Sequence, residues 1–232
     1  MKKMVFFFLI ATGFTLSAQS TDQLLKHYQA FYKEMRMQAD INGMTNALTH
    51  LNVLSPSKAR KDTLAYIYAN NNQHMQALNT IGFEKDDTDS DLAVQVKAIS
   101  LKAINQPKRA LEQMEILNNR TPNAYLAYEM ADLKIQIGDN VGASANIEYG
   151  LANAKDEMKY AFYERQQPYE VSLKAAFLHL KGLITYNQDK ENIDEAIALI
   201  DEALTLEPNF NLASLSKQAL EARKATPAEE GN

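Results

Sequence analysis

Cysteine and tryptophan are absent from the 232 residues, and glycine and proline are scarce, at eight and six. Without cysteine there is no disulfide, no thiolate metal ligand and no site for an N-terminal lipid, so stability rests on packing alone. With few turn-formers, few β-branched runs and no sustained period-2 alternation, the chain points to helices and leaves no room for a glycine-rich phosphate loop. Clustered lysine and arginine are missing too. The 24 basic and 29 acidic residues give a net charge of −5, which argues against nucleic acid and anionic membranes as partners. No nucleophile elbow or dinucleotide fingerprint occurs, and His27, His50, His74 and His179 make no ligand spacing. The expectation is a protein without catalytic residues, bound metal or cofactor.

What is present starts with an export signal. Lys2 and Lys3 supply a positive end, Val5 to Leu16 a short apolar core, and Ser17-Ala18 small residues before a cut ahead of Gln19. Removing residues 1–18 removes both lysines and takes the net charge to −7. No later stretch is apolar for the length of a bilayer, so no transmembrane segment is expected. These features predict an exported protein of the periplasm or envelope of a Gram-negative bacterium, with a helical domain over residues 19–224 and a disordered tail over 225–232.

The clearest unit is Leu180–Phe210. Its second helix carries Ile193, Ala196, Ile197, Ile200, Ala203 and Leu204 on one stripe, and Pro208 ends it near Leu206. Asn192 and Glu195 have the spacing of a capping box. Gly182 brings the partner helix close at the crossing. The small residue opening the second helix recurs as Ala47, Ala77, Ala110, Ala143 and Ala196, at steps of 30, 33, 33 and 53 residues. Four residues on come Leu51, Ile81, Met114, Ile147 and Ile200, one turn along the same face, and Pro122 and Pro208 each follow their alanine by twelve. Phe210–Lys224 reads as a further helix that caps the array.

This pattern resembles the tetratricopeptide repeat family, helix pairs of about 34 residues with small residues at the crossing and proline after the second helix. The resemblance spans Asp22–Pro208. It departs from the family in lacking the tryptophan of the first large position, held here by Val94, Ala127 and Leu178. It implies an all-α, right-handed α-solenoid of about five helix pairs plus the C-terminal capping helix; a related helical array, Sel1-like or HEAT-like, is the alternative. It further implies a non-catalytic scaffold or adaptor, monomeric or weakly self-associating, that holds a protein or peptide partner of the envelope in a concave groove. The matching groove positions are Asp62, Tyr66 and Asn70; Gln95 and Lys102; Tyr125, Tyr128 and Asp132; and His179, Tyr186 and Asn187. One lysine among them does not make a clamp for a C-terminal carboxylate; neutral or basic segments suit the groove better.

Two stretches stand apart. Asp156–Ser172, DEMKYAFYERQQPYEVS, fills the longer last step. It is expected to lengthen a helix, packing Tyr160, Phe162, Tyr163 and Tyr169 on the neighbouring pair. Its alternative use is an aromatic edge at 160–169 that binds a glycan or small molecule. Glu84–Asp91 places Asp87, Asp89 and Asp91 like the first ligands of a calcium loop, but Leu92 and Ala98 stand where the glycine and bidentate glutamate belong. Capping the next helix is the expected use of these acids.

Overall fold

A computed structural model of the chain describes residues 20–225. The expected signal peptide, 1–18, lies outside those residues. So does the expected tail except Ala225, which ends the last helix.

Eleven α-helices are present among the described residues. The first of each pair are α1 (Thr21–Met37), α3 (Lys58–Asn70), α5 (Asp91–Ala103), α7 (Ala124–Gln136) and α9 (Leu173–Gln188). The second of each are α2 (Ile41–Leu54), α4 (His74–Ile81), α6 (Pro107–Arg120), α8 (Asn140–Asn153) and α10 (Ile193–Leu206), and α11 (Asn211–Ala225) follows. Five pairs and a terminal helix are the architecture the alanine spacing predicts. All five repeat alanines have no exposed surface.

The chain divides into two compact units at Arg60–Lys61, within α3. In the first, Ser20 and Gln23 form a reciprocal capping box on α1, and Asp40 caps α2 through the Gly43 amide. Tyr28 of α1 stacks on His50 of α2 at 4.3 Å. Arg60 donates to two carbonyls at the end of α2, that of Ser55 and that of Leu51, which also accepts the Ser55 amide.

In the second unit each helix from α5 onward packs on its sequence neighbours, and α7 also packs on α9. Ala65, Ala69, Ala77 and Val96 join α3, α4 and α5 in one apolar cluster. Ser90, Asn123, Asp139 and Ser172 cap α5, α7, α8 and α9 through their side chains. Asn192 makes no such bond. A 3₁₀ turn, Lys190–Asn192, precedes α10, and Asp189 caps that turn instead, so the capping-box expectation at Asn192 fails.

Close helix crossings rest on two glycines. A Cβ at Gly182 would lie 2.7 Å from Ile200 Cγ1 and 2.9 Å from the Ala196 carbonyl oxygen, and one at Gly150 would overlap the Phe177 ring. Because a backbone oxygen cannot swing away, Gly182→Val is expected to cost about 1–3 kcal/mol in a urea melt. Unchanged stability would mean that α9 and α10 do not cross there.

The insertion departs from expectation. It forms an antiparallel hairpin, β1 (Lys159–Phe162) and β2 (Tyr169–Ser172), rather than a lengthened helix. The physical reason is alternation. Tyr160 pairs with Val171 and Phe162 with Tyr169, so four β-favouring side chains share one face while Ala161 and Glu170 take the other. That face rests on Tyr128 of α7, Phe177 of α9 and Phe210 before α11, with ring centroids 4.3 Å (Tyr160–Tyr128) and 4.9 Å (Phe162–Phe210) apart. Glu207 ties the hairpin base, accepting from the Ser172 amide and pairing with Lys159 at 3.0 Å.

Candidate functional site

The hairpin decides what remains open. Where α7, α9 and α11 line up, its aromatic face covers them. Between α5 and α7, a groove of about 1210 Å3 stays open, with Tyr163 of the hairpin turn on its rim. α5 contributes Gln95, Ile99 and Lys102, and α7 contributes Leu126 and Glu129. Helix α5 reverses the usual burial at two neighbouring positions: Lys97 is 3 % exposed while Ile99 is 56 % exposed. Tyr163 is 73 % exposed. Two large apolar side chains thus face solvent at one groove, an arrangement that favours a partner surface.

A polar network floors the groove's end. Lys102 Nζ lies 2.6 Å from Glu129 Oε2 and 3.5 Å from Asp132 Oδ2, and the Tyr160 hydroxyl donates to the other Glu129 oxygen. Burial opposes the charge on Lys102, but Glu129 and Asp132 outweigh it and raise its pKa, so the ammonium is secure. Burial, with help from Glu129, raises Asp132 despite Lys102. Burial and the nearby acids push both Tyr128 and Tyr160 well above the phenol range, keeping them neutral donors.

Beside the groove lies a smaller cavity of about 380 Å3 under the hairpin, and Lys102 and Tyr163 line both. Tyr128, Asp132 and His179 line the smaller one. His179 Nε2 meets Ser216 Oγ at 2.9 Å. Burial holds its pKa down at about 4, so the ring is neutral at pH 7. The unfolded chain takes up this proton near pH 6.5 and the folded chain only near 4. Stability therefore falls as pH drops through that window, by about 2 kcal/mol between pH 7 and 5. In urea melts, His179→Gln is expected to lose this share of the acid sensitivity; an identical pH profile would show an accessible imidazole.

The sequence-derived groove residues scatter. Gln95 and Lys102 line the large groove, and Lys102, Tyr128, Asp132 and His179 meet at the small cavity. Asp62, Tyr128 and His179 are buried and offer no groove surface. Asp62 accepts from Ser90 Oγ at 2.7 Å, fastening α3 to the start of α5. Tyr66, Asn70, Tyr125 and Asn187 are exposed but outside both openings, and Tyr186 lies under the Arg223 guanidinium. Ile99 and Glu129 are outside the sequence-derived set, and Tyr163, named there for the aromatic edge, borders the groove instead. Ile99 was the readable one, an apolar residue off the buried stripe of α5.

The acidic run is engaged structurally. Asp86 accepts from Thr88, Asp89 pairs with Lys97, Glu84 with Arg109, and Asp91 with Arg120, whose other nitrogen reaches the Asp87 carbonyl. Among the described residues, no group of three or more histidines, aspartates or glutamates is placed to hold a metal. Nor is any described helix long and apolar enough to cross a membrane.

No family model matches the sequence, and no curated protein matches it. Among solved structures, the chain is similar to the crystal structure of MamA protein, at 15 % identity over 89 % of this chain and 97 % of that one, with a TM-score of 0.58. It also matches a tetratricopeptide repeat protein from Parabacteroides merdae ATCC 43184, at 16 % identity over 88 % of this chain and 72 % of that one, with a TM-score of 0.46. At such identities the likeness is one of fold. Taken with the buried repeat alanines and the helix pairs, it gives this chain the tetratricopeptide-repeat fold.

Proposed function

We propose that the protein is an exported, non-catalytic scaffold that holds a segment of a partner polypeptide in the groove between α5 and α7, in the periplasm or at the envelope. The observation that carries this reading is the open groove itself, which presents exposed Ile99 and Tyr163 beside hydrogen-bonding Gln95. Apolar anchors supply contact area, and side-chain amides fix the backbone of an extended segment. Export rests on the start of the sequence, with its two lysines, apolar core and Ser17-Ala18.

The reading of the insertion as a glycan-stacking edge has less support. Phe162 is buried and Tyr160 and Tyr169 are half-buried against the helices, which leaves Tyr163 as the insertion's open ring.

Two measurements test the proposal. Osmotic shock should release a chain beginning at Gln19; retention in the cytoplasm with residues 1–18 attached would refute export. A photo-crosslinking residue at position 99, in the native cells, should yield one discrete polypeptide adduct, and none at Tyr149, an exposed position on α8. No adduct at 99, or the same adduct at both, would refute the groove.

A further inference from the structure

The smaller cavity is walled by the hairpin, α7, α9 and α11, and its volume of about 380 Å3 is within the roughly 300–1,000 Å3 of small-ligand sites. Resting on the polypeptide-binding reading above, we infer that it receives one cationic side chain, lysine or arginine, from the polypeptide lying in the adjoining groove. The two spaces are continuous in their lining, since Lys102 and Tyr163 border both, so a segment over Ile99 has the cavity within reach of a long side chain.

Charge and ring chemistry point the same way. Asp132 and Glu164 line the cavity, and Glu129 stands behind them on Lys102 and Tyr160. Among the described residues Lys102 is the one cation on the wall; Arg165 is turned over the Tyr169 ring, 5.8 Å from its centroid. His179 adds no charge, because burial keeps it neutral at pH 7. Its Nδ1, on a ring only 2 % exposed, has no hydrogen-bond partner among the described residues. Glu164 stays ionised: what burial it has opposes its charge, but bonds from Tyr169 and Asn211 prevail. Asp132 lies 3.5 Å from Lys102 Nζ and accepts from Gln136 at 2.9 Å, and burial still holds its pKa up, so a further cation beside it would favour its charged form. Tyr128, Tyr160 and Phe162 offer rings to a cation, and a desolvated site strengthens such contacts. An anionic side chain would be repelled by Asp132, Glu164 and Glu129 against the single Lys102, and an uncharged one would gain nothing from the excess of acids.

The test pans a random decapeptide display library on the immobilised full chain, followed by synthetic peptides made from the enriched sequences. The expected sequences share one lysine or arginine near an apolar residue. The basic peptide should bind at least tenfold tighter than its norleucine version. Asp132→Asn with Glu164→Gln should bring that ratio near one without altering the melting temperature or the norleucine peptide's affinity. Lys102→Met should tighten the basic peptide, a gain that misfolding cannot produce. Enriched sequences without a basic residue, a tenfold ratio that survives the double substitution, or weaker binding by Lys102→Met would overturn the inference and leave the groove reading standing. No enrichment, or equal enrichment on Ile99→Glu, would overturn the groove reading and the inference with it.

Discussion

Lys97→Met is expected to destabilise the second unit by about 3–5 kcal/mol in urea denaturation. Lys97 sits mid-α5 and is 3 % exposed, with Nζ 2.5 Å from Asp89 Oδ2 and 2.7 Å from the Glu84 carbonyl oxygen. An isolated surface pair is worth at most about 1 kcal/mol, but removing one partner of a buried pair leaves the other's charge in a poor solvent. Methionine keeps the length and apolar stem of lysine while deleting the ammonium, so the loss reports the charge rather than a cavity. The double substitution Lys97→Met with Asp89→Asn should recover part of the loss, because the buried carboxylate goes with the ammonium it pairs. A loss below about 1 kcal/mol would show that the pair is open to water. The effect should reach the groove, since Gln95 and Ile99 flank Lys97 on α5.

Phe210→Ala is the second large expected effect. Phe210 is fully buried after Pro208 and touches three rings: Phe162 and Tyr169 of the hairpin, and His179 of α9, the last at 5.3 Å. Truncating such a residue removes its burial and leaves a cavity, together about 3–5 kcal/mol. For a chain of this length that is a fall in melting temperature of about 10 °C. Cooperativity in a repeat array extends mainly between neighbours, so the loss should be local. Hydrogen exchange should speed up at the hairpin amides and across α9 and α11, while α5 and α6 keep their protection. Uniform acceleration, or an undisturbed hairpin, would mean that Phe210 does not hold the insertion down.

The scaffold was readable because its signals are local and repeated. Ala47, Ala77, Ala110, Ala143 and Ala196 sit where two helices must touch, so side-chain size alone marks them. Pro208 ends α10 at Leu206 by removing an amide and restricting its neighbour. The hairpin was hidden because its strands are four residues each, too short for period-2 alternation to stand out against helical neighbours. Once it is placed, the site changes. Tyr128 and His179 hold groove positions in the repeat register, yet the hairpin's Tyr160 and Phe162 pack over that face and reduce it to the small cavity. Asp62 is withdrawn for a different reason: Ser90 caps α5 and uses the Asp62 carboxylate as acceptor. Tertiary placement, not repeat position, decides which inner-face residues a partner can reach.

In the proposed scaffold the insertion occupies one stretch of the inner face and leaves α5–α7 as the polypeptide site. Hydrogen exchange of the full chain, with and without a library-selected peptide, tests it most directly. Slower exchange should appear in α5, in the first half of α7 and around Tyr163, with α8 and α10 unchanged. Protection confined to α4, α6, α8 or α10, with none in α5 and α7, would put the polypeptide on the second helices of the pairs and refute the α5–α7 site.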